Sequence, residues 1–160
     1  AHGTRLRKHK FRRIIRPHLP QGTTDLAIDR AFCEFLVGIP VRRLVALRDL
    51  RRQGLGVYML SNTNPIMWNS KIGEEFGREG LRREDYFDGM VTSFEARVMK
   101  PAPEIFNYAA EQLGIAPDET LFLDDGEANV RAAEALGWHA ALVRPGVEFD
   151  ALLRDMGVCK

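Results

Sequence analysis

Three times along the chain an amphipathic helical stretch ends near a glycine and a short apolar run follows. From Val41 to Leu50, apolar positions 41, 44, 45 and 47 share one face, and Gly54 then leads into Val57-Tyr58-Met59-Leu60. From Glu104 to Leu113, residues Ile105, Phe106, Ala109, Ala110 and Leu113 align. Gly114, a turn over Ala116–Glu119 and Leu121-Phe122-Leu123 come next. Glu127 to Leu136 repeats the pattern, with Gly137 ahead of Ala140-Ala141-Leu142-Val143. The helical stretches bring every third or fourth residue to one side. The apolar runs are too short for helices and lack the polar alternation of a sheet wetted on one face. Short continuous strands alternating with helices predict an α/β fold built on a parallel sheet covered on both faces.

The first forty residues follow a different pattern. They predict helices over Lys8–Arg16 and Asp25–Val37, interrupted by Pro17, Pro20 and Gly22, with Thr23 or Thr24 as the cap of the second and no strand. Residues 1–40 are therefore expected to form a helical appendage and 41–160 the α/β core, with Gly38-Ile39-Pro40 at the junction. A polar stretch between Asn64 and Tyr86, carrying Gly73, Gly77 and Gly80, predicts a helix and a loop outside the sheet.

Composition narrows the class. A chain of 160 residues, 45% hydrophobic and 28% charged, can bury a sizeable core, and a net charge of +1 excludes a polyanion binder by bulk charge. Cys33 and Cys159 are too few and too far apart for a disulfide framework or a CxxC site, and predict reduced thiols in a cytoplasmic protein. No apolar run approaches the roughly 18 residues of a membrane span, and no secretory signal pattern follows the basic start. Nothing in the pattern reports an oligomeric state. Charge is nonetheless uneven, because Arg5, Arg7, Lys8, Lys10, Arg12, Arg13 and Arg16 lie in the first twenty residues with no acid among them. That block reads either as an arm for nucleic acid or as a solvated helix face over Phe11, Ile14 and Ile15. Without interleaved aromatics or a nucleic-acid motif, the second reading is favoured.

In an open parallel sheet, ligands gather at the carboxyl ends of the strands. Ser61-Asn62-Thr63-Asn64 follows one predicted strand and Asp124-Asp125-Gly126 another. Hydroxyl groups and exposed backbone N–H groups suit an anion such as phosphate, and adjacent carboxylates suit a hard cation such as Mg²⁺. Between them, Lys100 precedes a proline-initiated helix. Pro101 holds it in extended backbone, so its ammonium can project toward charge gathered at the sheet edge.

These segments resemble a known family. Leu60-Ser61-Asn62-Thr63-Asn64, Lys100-Pro101-x-Pro103-Glu104-Ile105-Phe106 and Phe122-Leu123-Asp124-Asp125-Gly126-Glu127-Ala128-Asn129-Val130 are similar to the second, third and fourth motifs of the haloacid dehalogenase-like (HAD) hydrolases. The likeness is to the branch with a helical cap between the first two motifs, and it covers about residues 38 to 146. Tyr86-Phe87-Asp88 and Ala135-Leu136-Gly137-Trp138 fit as flanking segments, and the first forty residues fit the later part of such a cap. The resemblance implies Mg²⁺-dependent hydrolysis of a small phosphorylated substrate through an aspartyl-phosphate. It implies that Ser61 and the backbone N–H of Asn62 hold the phosphoryl oxygens, that Lys100 stabilises the nucleophile and the transferring group, that Asp125 with Asp124 ligates Mg²⁺, and that Asn129 orients the acidic loop. Haloacid dehalogenation is the alternative chemistry on the same scaffold, and the paired carboxylates favour the phosphatase.

The departure from the family lies in its first motif, an apolar strand ending in Asp-x-Asp that supplies the nucleophile. No Asp-x-Asp occurs in the sequence, and Asp25 and Asp29 read as helix-surface residues. In the family that strand lies between those ending here at Ser61 and Asp124, so its absence implies a gap in the sheet. The expectation is an N-terminally truncated copy of a longer enzyme, with about fifty further residues ahead of Ala1 and no turnover from this chain alone. The competing expectation is a non-catalytic binding protein that keeps the phosphate cradle. Trp68, Trp138, Met67 and Met99 read as packing residues, His139 as structural and Cys33 as a small buried hydrophobe; His2, His9 and His18 have no metal-ligand spacing.

Overall fold

A computed structural model describes residues 11–34, 36 and 38–160. The described chain forms two compact units, one from residues up to Ile39 together with Thr63–Arg83, the other from Pro40–Asn62 and Glu84–Lys160.

In the first unit, residues 11–15 are helical and a 3-10 turn spans Arg16–His18. The beginning of the helix expected over Lys8–Arg16 lies outside the described residues. Phe11 packs on Phe32 with ring centroids 4.4 Å apart. Ile14, expected beneath the basic face, is instead 62% exposed. The reason is angular: the inward side of this turn is claimed by Arg12, and Ile14 stands two positions away, across the helix. Arg12 grips Asp29 through two hydrogen bonds of 2.9 and 2.5 Å and reaches Asp25 at 2.8 Å. Arg16 also pairs with Asp25. Two charges of the basic block are thus neutralised within the unit, on the helix Asp25–Cys33. Thr24 caps that helix by accepting from the Ala27 N–H at 3.1 Å.

The stretch from residue 63 to 83 groups with this helical unit. It carries the helices Pro65–Asn69 and Lys71–Gly77. Asn64 caps the first through the N–H groups of Ile66 and Met67, and Cys33 Sγ lies 3.2 Å from Ser70 Oγ between the two. Buried Glu75 accepts from the Ile39 N–H at 3.0 Å and pairs with Lys71 and Arg78.

The second unit contains all four described strands. The helix Val41–Arg52 is followed by Gly54, which has φ +85°, and leads into β1 (Tyr58–Ser61). β2 (Gly89–Thr92) runs parallel to β1, with Ser61 opposite Thr92. Helices Ser93–Ala96 and Pro103–Leu113 follow, and Gly114 closes the second at φ +63°. β3 (Leu121–Asp124), the helix Glu127–Ala135, β4 (His139–Leu142) and the helix Phe149–Asp155 complete the unit. β3 and β4 are parallel, with Asp124 opposite Leu142. The α/β class and its parallel strands are as expected.

The sheet is in two halves. β1 pairs with β2 and β3 with β4, and among the described residues no hydrogen-bonded strand joins one pair to the other. Leu60, Leu121 and Leu123 are only half-buried, although parallel strands are ordinarily covered on both faces. The core under β3 is an aromatic cluster in which Phe106, Phe122 and Trp138 meet edge to face at 5.3 to 6.4 Å, closed by Ile105 and Ala133. Trp138 is therefore core, and Cys33 is buried, both as expected. Met99 is not packed as expected but 60% exposed, because it stands on the loop that precedes Lys100. No helix among the described residues is long and apolar enough to cross a membrane.

Candidate active site

Two strand ends and one loop of the second unit hold the candidate residues. β1 finishes at Ser61 and exposes Asn62 just beyond it. β3 finishes at Asp124, with exposed Asp125 next and Gly126 opening the Glu127–Ala135 helix. The loop is set by Arg97, held at φ 60° as the cap of the Ser93–Ala96 helix, and runs through Val98 and Met99 to Lys100.

Lys100 connects the strand ends. Its Nζ donates to the carbonyl oxygen of Leu60 on β1 at 2.8 Å and to Asp124 Oδ2 on β3 at 2.6 Å. The two side chains are 9% and 7% exposed, so this is a buried ion pair with short, charge-assisted geometry. The ammonium also lies over the Phe122 ring, 5.4 Å from its centre, which adds a cation–π contact. The other Asp124 oxygen, Oδ1, accepts from the Gly126 N–H and from Asn129 Nδ2, each at 2.8 Å. Burial pushes the Asp124 carboxyl up. Hydrogen bonds from Lys100, Asn129 and the Gly126 N–H, with the Lys100 charge, outweigh it and hold the group below the usual carboxylate range.

The main chain of Lys100 is held as well. Asn62 Nδ2 donates to the Lys100 carbonyl and the Lys100 N–H donates to Asn62 Oδ1, both at 2.9 Å. At Gly126 an added Cβ would stand 2.8 Å from Asn129 Nδ2 and 3.0 Å from Asp124 Oδ1, so only glycine lets these side chains close over the turn.

The structure thus brings Lys100, Asn62, Asp124 and Asn129 into one hydrogen-bonded network at the strand ends. Ser61 stands on β1 one residue past the carbonyl that Lys100 bonds. Both oxygens of Asp124 are engaged, which leaves exposed Asp125 as the carboxylate of the pair open to a cation. Among the described residues there is no group of three or more His, Cys, Asp or Glu side chains arranged to hold a metal. Sequence reasoning gave Asn62 only a backbone role. Its side-chain contact with a residue 38 positions away has no local sequence signal, and neither does the Leu60 carbonyl. A groove of about 510 Å³ opens beside Gly56, at the start rather than the end of β1. Its lining arginines Arg51 and Arg52 are paired with Asp88 and Asp49, so it presents no uncompensated charge from them.

Comparison with known proteins places the chain in a family. The sequence profile of the haloacid dehalogenase-like hydrolases matches residues 9–137. A D-ribitol-5-phosphate phosphatase of Bacteroides thetaiotaomicron is 34% identical over 120 residues, which is 75% of this chain and 58% of that protein. A probable pseudouridine-5'-phosphatase of Saccharomyces cerevisiae is 30% identical over 133 residues, 77% of this chain and 52% of that protein. The chain therefore spans between half and three-fifths of these two curated relatives. A HAD family enzyme from Bacteroides thetaiotaomicron, solved with magnesium and inorganic phosphate, superposes with a TM-score of 0.86 at 38% identity, covering 92% of this chain and 74% of that one. With its parallel strands, its ordered motifs and a profile match over most of its length, the chain belongs to the haloacid dehalogenase-like hydrolases.

Proposed function

We propose that the protein to which this chain belongs is a Mg²⁺-dependent phosphatase of small phosphorylated metabolites. The observation that carries the reading is the buried Lys100 ammonium, fixed between the ends of β1 and β3. A cation buried there is oriented before any ligand arrives, and preorganised charge is what phosphoryl transfer asks of a protein. The Ser61 hydroxyl and the Asn62 backbone N–H would take the phosphoryl oxygens. Lys100 would neutralise the charge that builds on the transferring group.

The donor set is hard oxygen and fits Mg²⁺, which keeps several waters and takes only one or two protein carboxylates. Asp125 would hold the ion, and Asp124, committed to Lys100, Gly126 and Asn129, would shape the turn that presents it. When bound, Mg²⁺ supplies further positive charge to the phosphoryl oxygens. The attacking carboxylate is not among these residues. We place it on an apolar strand ending in Asp-x-Asp that lies outside the 160 residues and pairs with β1 and β3, completing the sheet. The relatives named for D-ribitol 5-phosphate and pseudouridine 5'-phosphate favour a phosphomonoester of a small polyhydroxylated alcohol as substrate.

The test is an assay of the longer protein against such phosphomonoesters and against haloacids, with Mg²⁺ or with EDTA. Phosphate release that EDTA abolishes is expected. Haloacid turnover in EDTA without any phosphatase activity would overturn the reading.

A further inference from the structure

The Asn62 side chain has a role separate from that of its main-chain N–H. Both functions of its amide are spent on the main chain of a single residue. The Nδ2 group donates to the Lys100 carbonyl and Oδ1 accepts the Lys100 N–H, each at 2.9 Å. This is the pairing that a neighbouring strand would offer, supplied by one side chain at the point where β1 has ended. Lys100 is therefore tied to the end of β1 twice, by its main chain through Asn62 and by its ammonium through the Leu60 carbonyl. The four-carbon stem of lysine is flexible, and a fixed starting point for it reduces the positions its ammonium can reach.

We propose that the Asn62 side-chain amide is a positioning residue that sets where the Lys100 ammonium stands. The inference rests on the phosphatase reading for what the ammonium does, but not for where it is held. Asn62 touches the backbone of Lys100 and acts on the charge through it. Only an amide offers a donor and an acceptor in this arrangement. Aspartate keeps the shape and the acceptor, but sets an oxygen against the Lys100 carbonyl, and alanine removes both contacts.

The chain has five lysines, Lys8, Lys10, Lys71, Lys100 and Lys160, so lysine-selective isotope labelling yields a readable set of side-chain signals by NMR, with Lys100→Arg assigning the one of interest. In Asn62→Ala and in Asn62→Asp, hydrogen exchange at the Lys100 ammonium is expected to rise by about fivefold or more, as the loss of hydrogen bonds implies, while the other lysine signals stay in place. Inorganic phosphate titrated into the same samples is expected to bind about fivefold more weakly in both variants. An unchanged Lys100 signal in both variants would overturn the proposal. Loss of dispersed signals in both would overturn it as well, because the amide would then be needed for folding rather than for placement. A wild-type chain that fails to bind phosphate, with Lys100 still responding to Asn62, would count against the phosphatase reading and support the positioning role.

Discussion

The ion pair between Lys100 and Asp124 is nearly excluded from water, and its two members are satisfied by different strands. Removing one partner would strand the other charge in the interior. Lys100→Met is accordingly expected to lower unfolding free energy by about 3–5 kcal/mol in urea titrations, and Lys100→Met with Asp124→Leu to recover a large part of the loss. The depressed titration of Asp124 gives this pair a pH signature. A carboxyl held below its ordinary range binds fewer protons folded than unfolded. Its stabilisation is therefore present above the unfolded value, near 3.8, and is lost as pH falls through the lower folded one. The drop in urea midpoint between neutral pH and pH about 3 should be smaller in Asp124→Asn than in the wild type. Arg97 marks the opposite situation, since it occupies the left-handed region without being glycine. Arg97→Gly is expected to raise the thermal midpoint, by the equivalent of about 0.5–1 kcal/mol, because the relieved strain exceeds the entropy glycine adds to the unfolded chain.

Elements with a strong local pattern were legible from sequence. The three helices preceding Gly54, Gly114 and Gly137 lie where the periodicity placed them, and all three glycines adopt positive φ. β2 was not legible. Gly89-Met90-Val91-Thr92 is four residues long, begins with glycine and becomes a strand through its register with β1. Asp88 helps set that register, accepting from the Val57 N–H at 2.9 Å while its own N–H reaches the Val57 carbonyl, with Arg51 bracing the carboxylate at 2.7 Å. Asp88→Ala should lower stability by about 1–3 kcal/mol in urea titrations, the cost of an unsatisfied strand N–H. The junction near Gly38 was legible as a break in pattern but not in its chemistry. Gly38 stands at φ +102°, and an added Cβ would lie 3.1 Å from Glu75 Oε2. Gly38→Ala is expected to cost about 1–3 kcal/mol, whereas Gly77→Ala, in open space at the end of the Lys71–Gly77 helix, is expected to leave stability unchanged or raise it by up to about 1 kcal/mol in the same thermal melts.

At the scale of the molecule, Ser61, Asn62, Asp124 and Asp125 were legible because they sit at the ends of apolar strands, where an open parallel sheet collects ligands, and Lys100 through the proline that follows it. What sequence could not supply is the division of labour within the network. Asp124 and Asp125 are adjacent and chemically alike, yet the fold turns one inward to Lys100 and leaves the other exposed. The described strands form two separate pairs, β1 with β2 and β3 with β4. Half-buried leucines on β1 and β3, with no hydrogen-bonded strand joining the pairs among the described residues, leave open backbone that a strand can fill. We propose that Ser61, Lys100 and the Asp124–Asp125 turn prepare a phosphoryl site whose nucleophile lies outside these 160 residues. The most direct measurement is phosphate-ester turnover by the 160-residue chain with Mg²⁺, alongside Lys100→Ala and Asp125→Ala. The expected result is no turnover above the level that both variants retain. Turnover that either substitution abolishes would contradict the claim, because the chain would then carry a nucleophile of its own.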